Sequence, residues 1–319
     1  MKSNKLFLWI TVTILLLVLG IASYNVLFAD KKIEKKKVSV ILNDSMNEKW
    51  VVVKQGMDQA ALDYNLELNI VATKRIEYPE DEASLIMREV DNGAEGIIIE
   101  PVSGDAYSDY LSAVSGAVGI TLINSDINPE NHFDCVMPDQ KEIGRALANA
   151  LLNDYKSKTP VIGILTSNTE QLGKIQRTEG LNEVLDSNVR IAWTFDIDST
   201  EEENIKKRIE DGEVDAIVAL GNYETDWILD YLVSKTGKQK IKVYAADYSA
   251  KSIYNLDRGI IEELVITDEY CLGYSAVESL AGRLSPSVKG TKTGLKIYSI
   301  DMEGMYDEEL QKILFPLVQ

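Results

Sequence analysis

The chain has 319 residues, 45% of them hydrophobic, and a net charge of -18. That length exceeds one ordinary core, so two lobes are expected. The acidic balance argues against a nucleic-acid partner, because phosphate binding needs clustered Lys and Arg and the release of counterions.

The first 37 residues differ from the rest. Lys2 and Lys5 precede LFLWITVTILLLVLGIASYNVLF, residues 6–28, which is about the length needed to cross a bilayer as a helix. A cleaved signal peptide has a shorter apolar core and a small-x-small cleavage site. The nearest candidate, ending at Ala29, carries Leu27 where a small residue belongs. An uncleaved signal anchor is therefore favoured over a cleaved signal, and no Cys follows the run to carry a lipid. DKKIEKKK, residues 30–37, reads as a polar, flexible linker. Its five lysines would place that side in the cytoplasm by the positive-inside tendency.

From Val38 short apolar runs alternate with amphipathic stretches. VSVILN (38–43) has a buried-strand pattern and NEKWVVVKQGMDQAALDYN follows with helical spacing. LELNIVA reads as a strand. PEDEASLIMREVDNG reads as a helix, with Pro79 and acidic residues in its first turn, where the dipole favours them, and Gly93 ending it. AEGIIIEP is a strand, AYSDYLSAVSG a helix and GITLINS a strand. The scheme repeats as KEIGRALANALLNDY, TPVIGILTS, EQLGKIQRTEGLNEVLD, VRIAWTFD, EEENIKKRIEDG, VDAIVALG, ETDWILDYLVSK and KIKVYAAD. Strands alternating with helices of this length indicate βαβ units and parallel sheets, and right-handed crossovers put helices on both faces. The expected fold is α/β, with two doubly wound parallel-sheet lobes joined by a hinge behind an N-terminal membrane-spanning segment.

In such sheets a ligand sits beyond the carboxyl ends of the strands. The segments there are Asn43 to Trp50, Glu100 to Ser103, Asn124 to Asp126, Ser167 to Arg177, Gly221 to Glu224, Asp247 to Ser249 and Thr267 to Tyr270. Asn, Asp, Glu, Ser and Arg dominate them, with Trp and Tyr interspersed. Carboxylates and amides pair with hydroxyls, Arg donates in a fixed fork, and an aromatic face covers the apolar side of a sugar ring. Strand-end loops are also polar simply because they lie on the surface.

Catalytic and metal chemistry find little support. The single histidine, His132 in PENHFD, reads as a solvated loop residue, since zinc sites need several clustered ligands. Cys135 and Cys271 have no metal-ligand spacing; they read as thiols, with a single disulfide as the other reading. No G-x-G-x-x-G follows a strand and no Walker lysine motif appears, so a nucleotide-binding enzyme is the weaker class and no cofactor is expected.

Order and motifs favour ligand binding. VSVILNDSMNEKWVVVKQGMDQAALDYNLELNIV, GAEGIIIEPVSGDAYSDYL, GITLINSD, MPDQKEIGRALANAL, QRTEGL and KVYAAD follow one another in the chain. Through them the body from Lys37 to Ile300 resembles the type I periplasmic sugar-binding proteins, the group of the ribose- and galactose-binding proteins and the lactose-repressor core. The resemblance implies an extracytoplasmic body, against the lysine count after the apolar run. It implies a binding protein without catalysis, whose partner is the permease of an ABC importer or a membrane histidine kinase. A repressor is disfavoured, because an apolar span stands where the DNA-binding helices would be.

Carried over by position, Trp50 matches an aromatic that stacks on the sugar, and Asn47 shares its loop. Asn124 stands where the family has an acidic ligand residue, a departure that Asp126 could compensate. Arg177 matches the arginine of R-x-x-G-F. Asn222 aligns within one residue of a family Asn or Asp. Asp247 matches the aspartate that ends the V-GfD strand. Thr267 replaces a Gln or Asn near the hinge. Each has a plainer reading: Asp247 as a cap for the helix beginning near Ser249, Trp50 as a core aromatic, Arg177 as a surface partner of Glu179 or Glu183. The resemblance also implies three hinge crossings, near Met137, Thr267 and Lys296. They divide the chain into 1–37 as anchor and linker, 38–137 plus 268–296 as one lobe, and 138–267 plus 297–319 as the other. The ligand is expected to be a sugar, with another small polar metabolite as the alternative.

Overall fold

The structure, a computed structural model, describes residues 2–28, 35–76, 78–103, 108–128, 133–156, 158–185, 188–199, 201–234, 241–285, 288 and 294–315. His132 and residues 30–34 of the linker lie outside the described residues. The chain forms two units, one ending at Lys35 and one starting at Lys36. The first is the helix α1 (Lys2–Phe28). Its described side chains, such as Trp9, Leu16 and Leu17, are exposed. Among the described residues no helix is long and apolar enough to cross a membrane, so the span expected over 6–28 gains no support from the structure.

The second unit holds two sheets. One contains β1 (Lys36–Ile41), β2 (Leu66–Ile70), β3 (Gly96–Ile99), β4 (Gly119–Ile123) and β5 (Asp134–Val136). Their spatial order is β2-β1-β3-β4-β5, and all pairs are parallel. The other contains β6 (Val161–Thr166), β7 (Arg190–Asp196), β8 (Ala216–Ala219), β9 (Lys242–Ala246), β10 (Ile261–Thr267) and β11 (Ile297–Ile300). Its order is β11-β10-β9-β8-β6-β7. The connecting helices are α2 (Trp50–Asp63), α3 (Pro79–Asp91), α4 (Ser108–Val114), α5 (Gln140–Asp154), α6 (Leu172–Leu185), α7 (Glu202–Glu210), α8 (Asn222–Ser234), α9 (Ala250–Asp257), α10 (Glu269–Leu284) and α11 (Glu308–Leu314).

The strands read as unbroken apolar runs because both faces of a parallel sheet are covered. Successive side chains point to opposite faces: Ile98 joins the cluster around α2 and α10, while Ile97 and Ile99 join the one around α3 and α4. Each such fully buried side chain stabilises the fold by roughly 1.5–3 kcal/mol.

The chain passes between the sheets three times. After β5, α5 packs Ile143 and Leu147 against Ile162 and Val218 of the second lobe. After β10, α10 returns Leu272, Val277 and Leu280 to the core around Val38. The chain then crosses back, and β11 lies antiparallel to β10. This is the one departure from parallel pairing among the described strands. It is possible because β11 arrives from the other lobe and needs no crossover helix on its own sheet.

Glycines let one helix pair in each lobe approach closely. A Cβ on Gly56 would lie 2.0 Å from the Tyr270 carbonyl oxygen, seating α2 on α10. A Cβ on Gly180 would lie 2.0 Å from the Lys141 carbonyl oxygen, seating α6 on α5. The glycine of the QRTEGL segment therefore serves helix packing, one turn beyond Arg177.

Candidate functional site

The cleft lies between the lobes, at the carboxyl ends of both sheets. The first lobe contributes Lys49, just before α2, Glu100 after β3 and Asn124 after β4. The second contributes Gln140 at the start of α5, Lys174 and Arg177 on one face of α6, Asn222 and Tyr223 at the start of α8, and Asp247 after β9. Asn124 and Asp247 both take φ of 64°. Left-handed backbone favours Asn and Asp among side-chain-bearing residues, so these strand ends need such residues for conformation as well as chemistry.

Arg177 is the centre of the second-lobe wall. Its Nε and Nη2 donate to Gln140 Oε1 at 2.9 and 2.6 Å. Its Nη1 donates to the Leu220 carbonyl at 2.7 Å and to Asp247 Oδ2 at 3.0 Å. One turn earlier, Lys174 Nζ donates to the Leu220 carbonyl at 2.9 Å and to Glu224 Oε1 at 2.7 Å. A Cβ on Gly221 would lie 2.3 Å from Lys174 Nζ, 3.0 Å from Glu224 Oε2 and 3.3 Å from Asp247 Oδ2. Only glycine lets these three charged groups converge. On the first-lobe wall Glu100 accepts from Asn124 Nδ2 at 2.9 Å and pairs with Lys49 at 3.5 Å.

The charges act on one another. Burial pushes the Asp247 carboxyl up, but Arg177 and Lys174 outweigh it and hold the group below its ordinary range. Burial, with Arg177 adding, lowers the Lys174 ammonium, and Glu224 opposes the shift. Burial and then the charge of Asp247 push the Glu269 carboxyl well above its ordinary range; Asp268 adds to this, and Lys49 only partly offsets it. A carboxyl raised in this way costs stability as pH climbs from its unfolded value, about 4.5, through its folded value. Glu269→Gln is therefore expected to raise the melting temperature at pH 7, with the gain vanishing toward pH 4.5. Thermal unfolding of both proteins across that range checks the sign.

Of the residues read from the sequence, the structure gathers Asn124, Arg177, Asn222 and Asp247 around the cleft. Asn222 donates to the Tyr248 carbonyl at 3.1 Å, and its buried Oδ1 has no protein partner. Asp247 pairs with Arg177, while Ser249 caps α9. The other four do not line the cleft. Trp50 is 2% exposed and packs in the first-lobe core. Its Nε1 donates to the Asn43 carbonyl at 2.9 Å. Asn47 accepts from the Lys49 amide at 3.0 Å, shaping the turn into α2. The Asp126 carboxylate accepts from the Ile127 amide at 2.7 Å. Thr267 is buried at the end of β10, paired in register with Ile297.

Lys49, Lys174 and Tyr223 fall within the strand-end segments read from the sequence but were not singled out there, and Gln140 lies outside those segments. Lys174 carried a further signal: three residues before Arg177, it shares that residue's helix face. The cysteines are free, and burial raises both thiols, Cys271 to about 11.

The cavity enclosed by these residues is about 30 Å³. That is room for a water molecule or two, where ligand clefts span roughly 300–1,000 Å³. Direct bonds join its rims: Gln171 Nε2 donates to the Pro101 carbonyl at 3.0 Å, and the Gly173 amide to Ser125 Oγ at 3.0 Å. The lobes are thus closed, and a ring can enter only if they part.

Residues 38–285 match the periplasmic binding protein domain family. No curated protein matches the chain in sequence. Among solved structures, a carbohydrate transporter solute-binding protein from Agrobacterium radiobacter in complex with D-arabinose is similar at a TM-score of 0.80 and 17% identity, over 88% of this chain and 99% of that one. A Caulobacter myo-inositol binding protein bound to myo-inositol gives 0.76 and 15%, over 86% and 97%. The XylFII-LytSN complex gives 0.74 and 18%, over 85% and 99%. With the family match covering most of its length, this chain belongs to the periplasmic binding proteins, and it shares the fold of these solved structures.

Proposed function

We propose that this protein captures a small hydroxylated ligand, a sugar, between its lobes outside the cytoplasm, and that residues 6–28 tether it to the membrane. The observation that carries the reading is Asn222 Oδ1, a buried acceptor without a protein partner on the wall of a polar interlobe cleft. Buried polar atoms are nearly always paired, and a ligand hydroxyl supplies the missing donor. Beside it, Arg177 and Asp247 offer a fixed donor fork and a carboxylate, the set that holds vicinal hydroxyls. Asn124 completes the contacts from the first lobe. Trp50, Asn47, Asp126 and Thr267 support the walls from behind. Residues 38–137 plus 268–296 move as one lobe against 138–267 plus 297–319. The tether rests on the sequence alone, on the apolar run LFLWITVTILLLVLGIASYNVLF, and the structure adds nothing to it.

Two partners fit this role. Likeness to a carbohydrate transporter solute-binding protein supports delivery to an importer permease. Likeness to XylFII, solved with LytSN, supports signalling to a sensor kinase. Neighbouring genes for a permease and an ATPase, or for a kinase and a response regulator, separate them.

A thermal-shift screen of the full chain against pentoses, hexoses and their derivatives tests the ligand. A cognate sugar at 100 times its Kd is expected to stabilise the protein by about 2.7 kcal/mol. Asp247→Ala is expected to abolish that shift while the unliganded protein stays folded. A screen in which no sugar moves the melting temperature refutes the sugar assignment.

A further inference from the structure

The two sheets are joined at one side only. The hinge connections leave β5, at one edge of the first sheet, and β10, beside the edge strand β11 of the second. The opposite edges are β2 and β7. Arg75 follows β2 and Asp198 follows β7, and the two form an ion pair across the cleft. The same guanidinium donates to Asn168 Oδ1 of the second lobe at 3.1 Å.

Tyr223 lies against this pair. Its hydroxyl crosses the cleft and donates to Asp44 Oδ2 of the first lobe at 2.9 Å. Its ring lies 5.2 Å from the Arg75 guanidinium and 5.5 Å from the Lys49 ammonium, within reach of cation–π attraction. Asp44 takes φ of 51°, a conformation Asp tolerates and most residues avoid. Burial and the bond to Asp44 raise the Tyr223 phenol, so it stays a donor at every physiological pH. The other rim bonds, from Gln171 and Gly173, join neutral groups. The charge-assisted contacts concentrate on the side away from the hinge, where lobe separation is greatest when the cleft opens.

We infer that Tyr223, Asp44 and Arg75 form a latch at the hinge-distal lip, and that its rupture sets how often the cleft opens. The inference goes beyond sugar binding and requires no knowledge of the ligand.

Hydrogen–deuterium exchange on the full chain tests it. Tyr223→Phe keeps the ring and removes the hydroxyl. It is expected to speed exchange about tenfold at the amides of 43–50 in the first lobe and 167–177 in the second, the size set by losing one hydrogen bond to a charged group. The core strands β3 and β8 should be unchanged, which also reports that the variant is folded. Asp44→Asn keeps an acceptor for the hydroxyl but removes its charge, so it should act in the same direction with a smaller effect, and the double variant should exceed Tyr223→Phe by little, because both act on one bond. Exchange at 43–50 unaltered by Tyr223→Phe, or single effects that simply add, would overturn the latch.

Discussion

Arg177→Ala is expected to lower unfolding stability by about 3–5 kcal/mol, the cost of breaking a buried charge pair from one side. The guanidinium is 3% exposed and holds Gln140, the Leu220 carbonyl and Asp247 together. Its removal strands Gln140 Oε1, leaves the Leu220 carbonyl to Lys174 alone, and leaves Asp247 facing Glu269 with Lys174 and Lys49 to balance it. Asp247→Ala should cost less, because Arg177 keeps Gln140 and Leu220, and the Asp247 side chain is 29% exposed. Urea denaturation of both variants checks the order. The pH dependence follows from the lowered Asp247 carboxyl. That contribution is fully present above the unfolded value, about 3.8, and is lost as pH falls through the folded value. The gap between wild type and Arg177→Ala should therefore narrow in acid. Equal stability of wild type and variant at neutral pH would remove Arg177 from the load the cleft wall bears.

Gly180→Ala should be nearly as damaging, although alanine is the better helix former by about 1 kcal/mol. The new methyl would meet the Lys141 carbonyl oxygen at 2.0 Å and its Cα at 2.7 Å. Backbone cannot swing aside, so α5 and α6 must separate. Separation loosens Ile143, Leu147, Leu181 and Leu185, which pack between them. Overpacking of this kind costs about 1–3 kcal/mol, and here it also shifts Arg177 relative to Gln140. Gly282 in α10 provides the contrast. A Cβ there has only the Val288 carbonyl oxygen nearby, at 3.7 Å. Gly282→Ala should be neutral or stabilising by up to about 1 kcal/mol. Thermal unfolding of the two variants side by side separates steric exclusion from helix propensity; a melting temperature for Gly180→Ala as high as that of Gly282→Ala would mean the helices are not locked at that contact.

The aromatic of the cleft shows where reading the chain falls short. Trp50 and Tyr223 both follow a strand end and open a helix, and local pattern treats them alike. Trp50 turns inward because α10, more than two hundred residues later, packs on α2 and forms a pocket for its ring. Tyr223 turns toward the cleft because Asp44 and Arg75 of the other lobe await it. Lys49, Lys174 and Gln140 are ordinary helix-start and helix-face residues until the packing within each lobe sets them against Glu100, Glu224 and Arg177.

The sequence by itself determined the alternation of strands and helices, the parallel sheets and the strand-end loops that hold the cleft, because hydrophobic periodicity and capping act over a turn or two of chain. Arg177 and Asp247 were legible through the resemblance of QRTEGL and KVYAAD to the family's segments, motifs short enough to be read along the chain. Only the tertiary structure decided which polar side chains face one another, which acceptor is left unpaired and which bonds hold the lips together. Those depend on approaches between segments far apart in the chain, and a difference of one side-chain length there turns a ligand contact into a core residue.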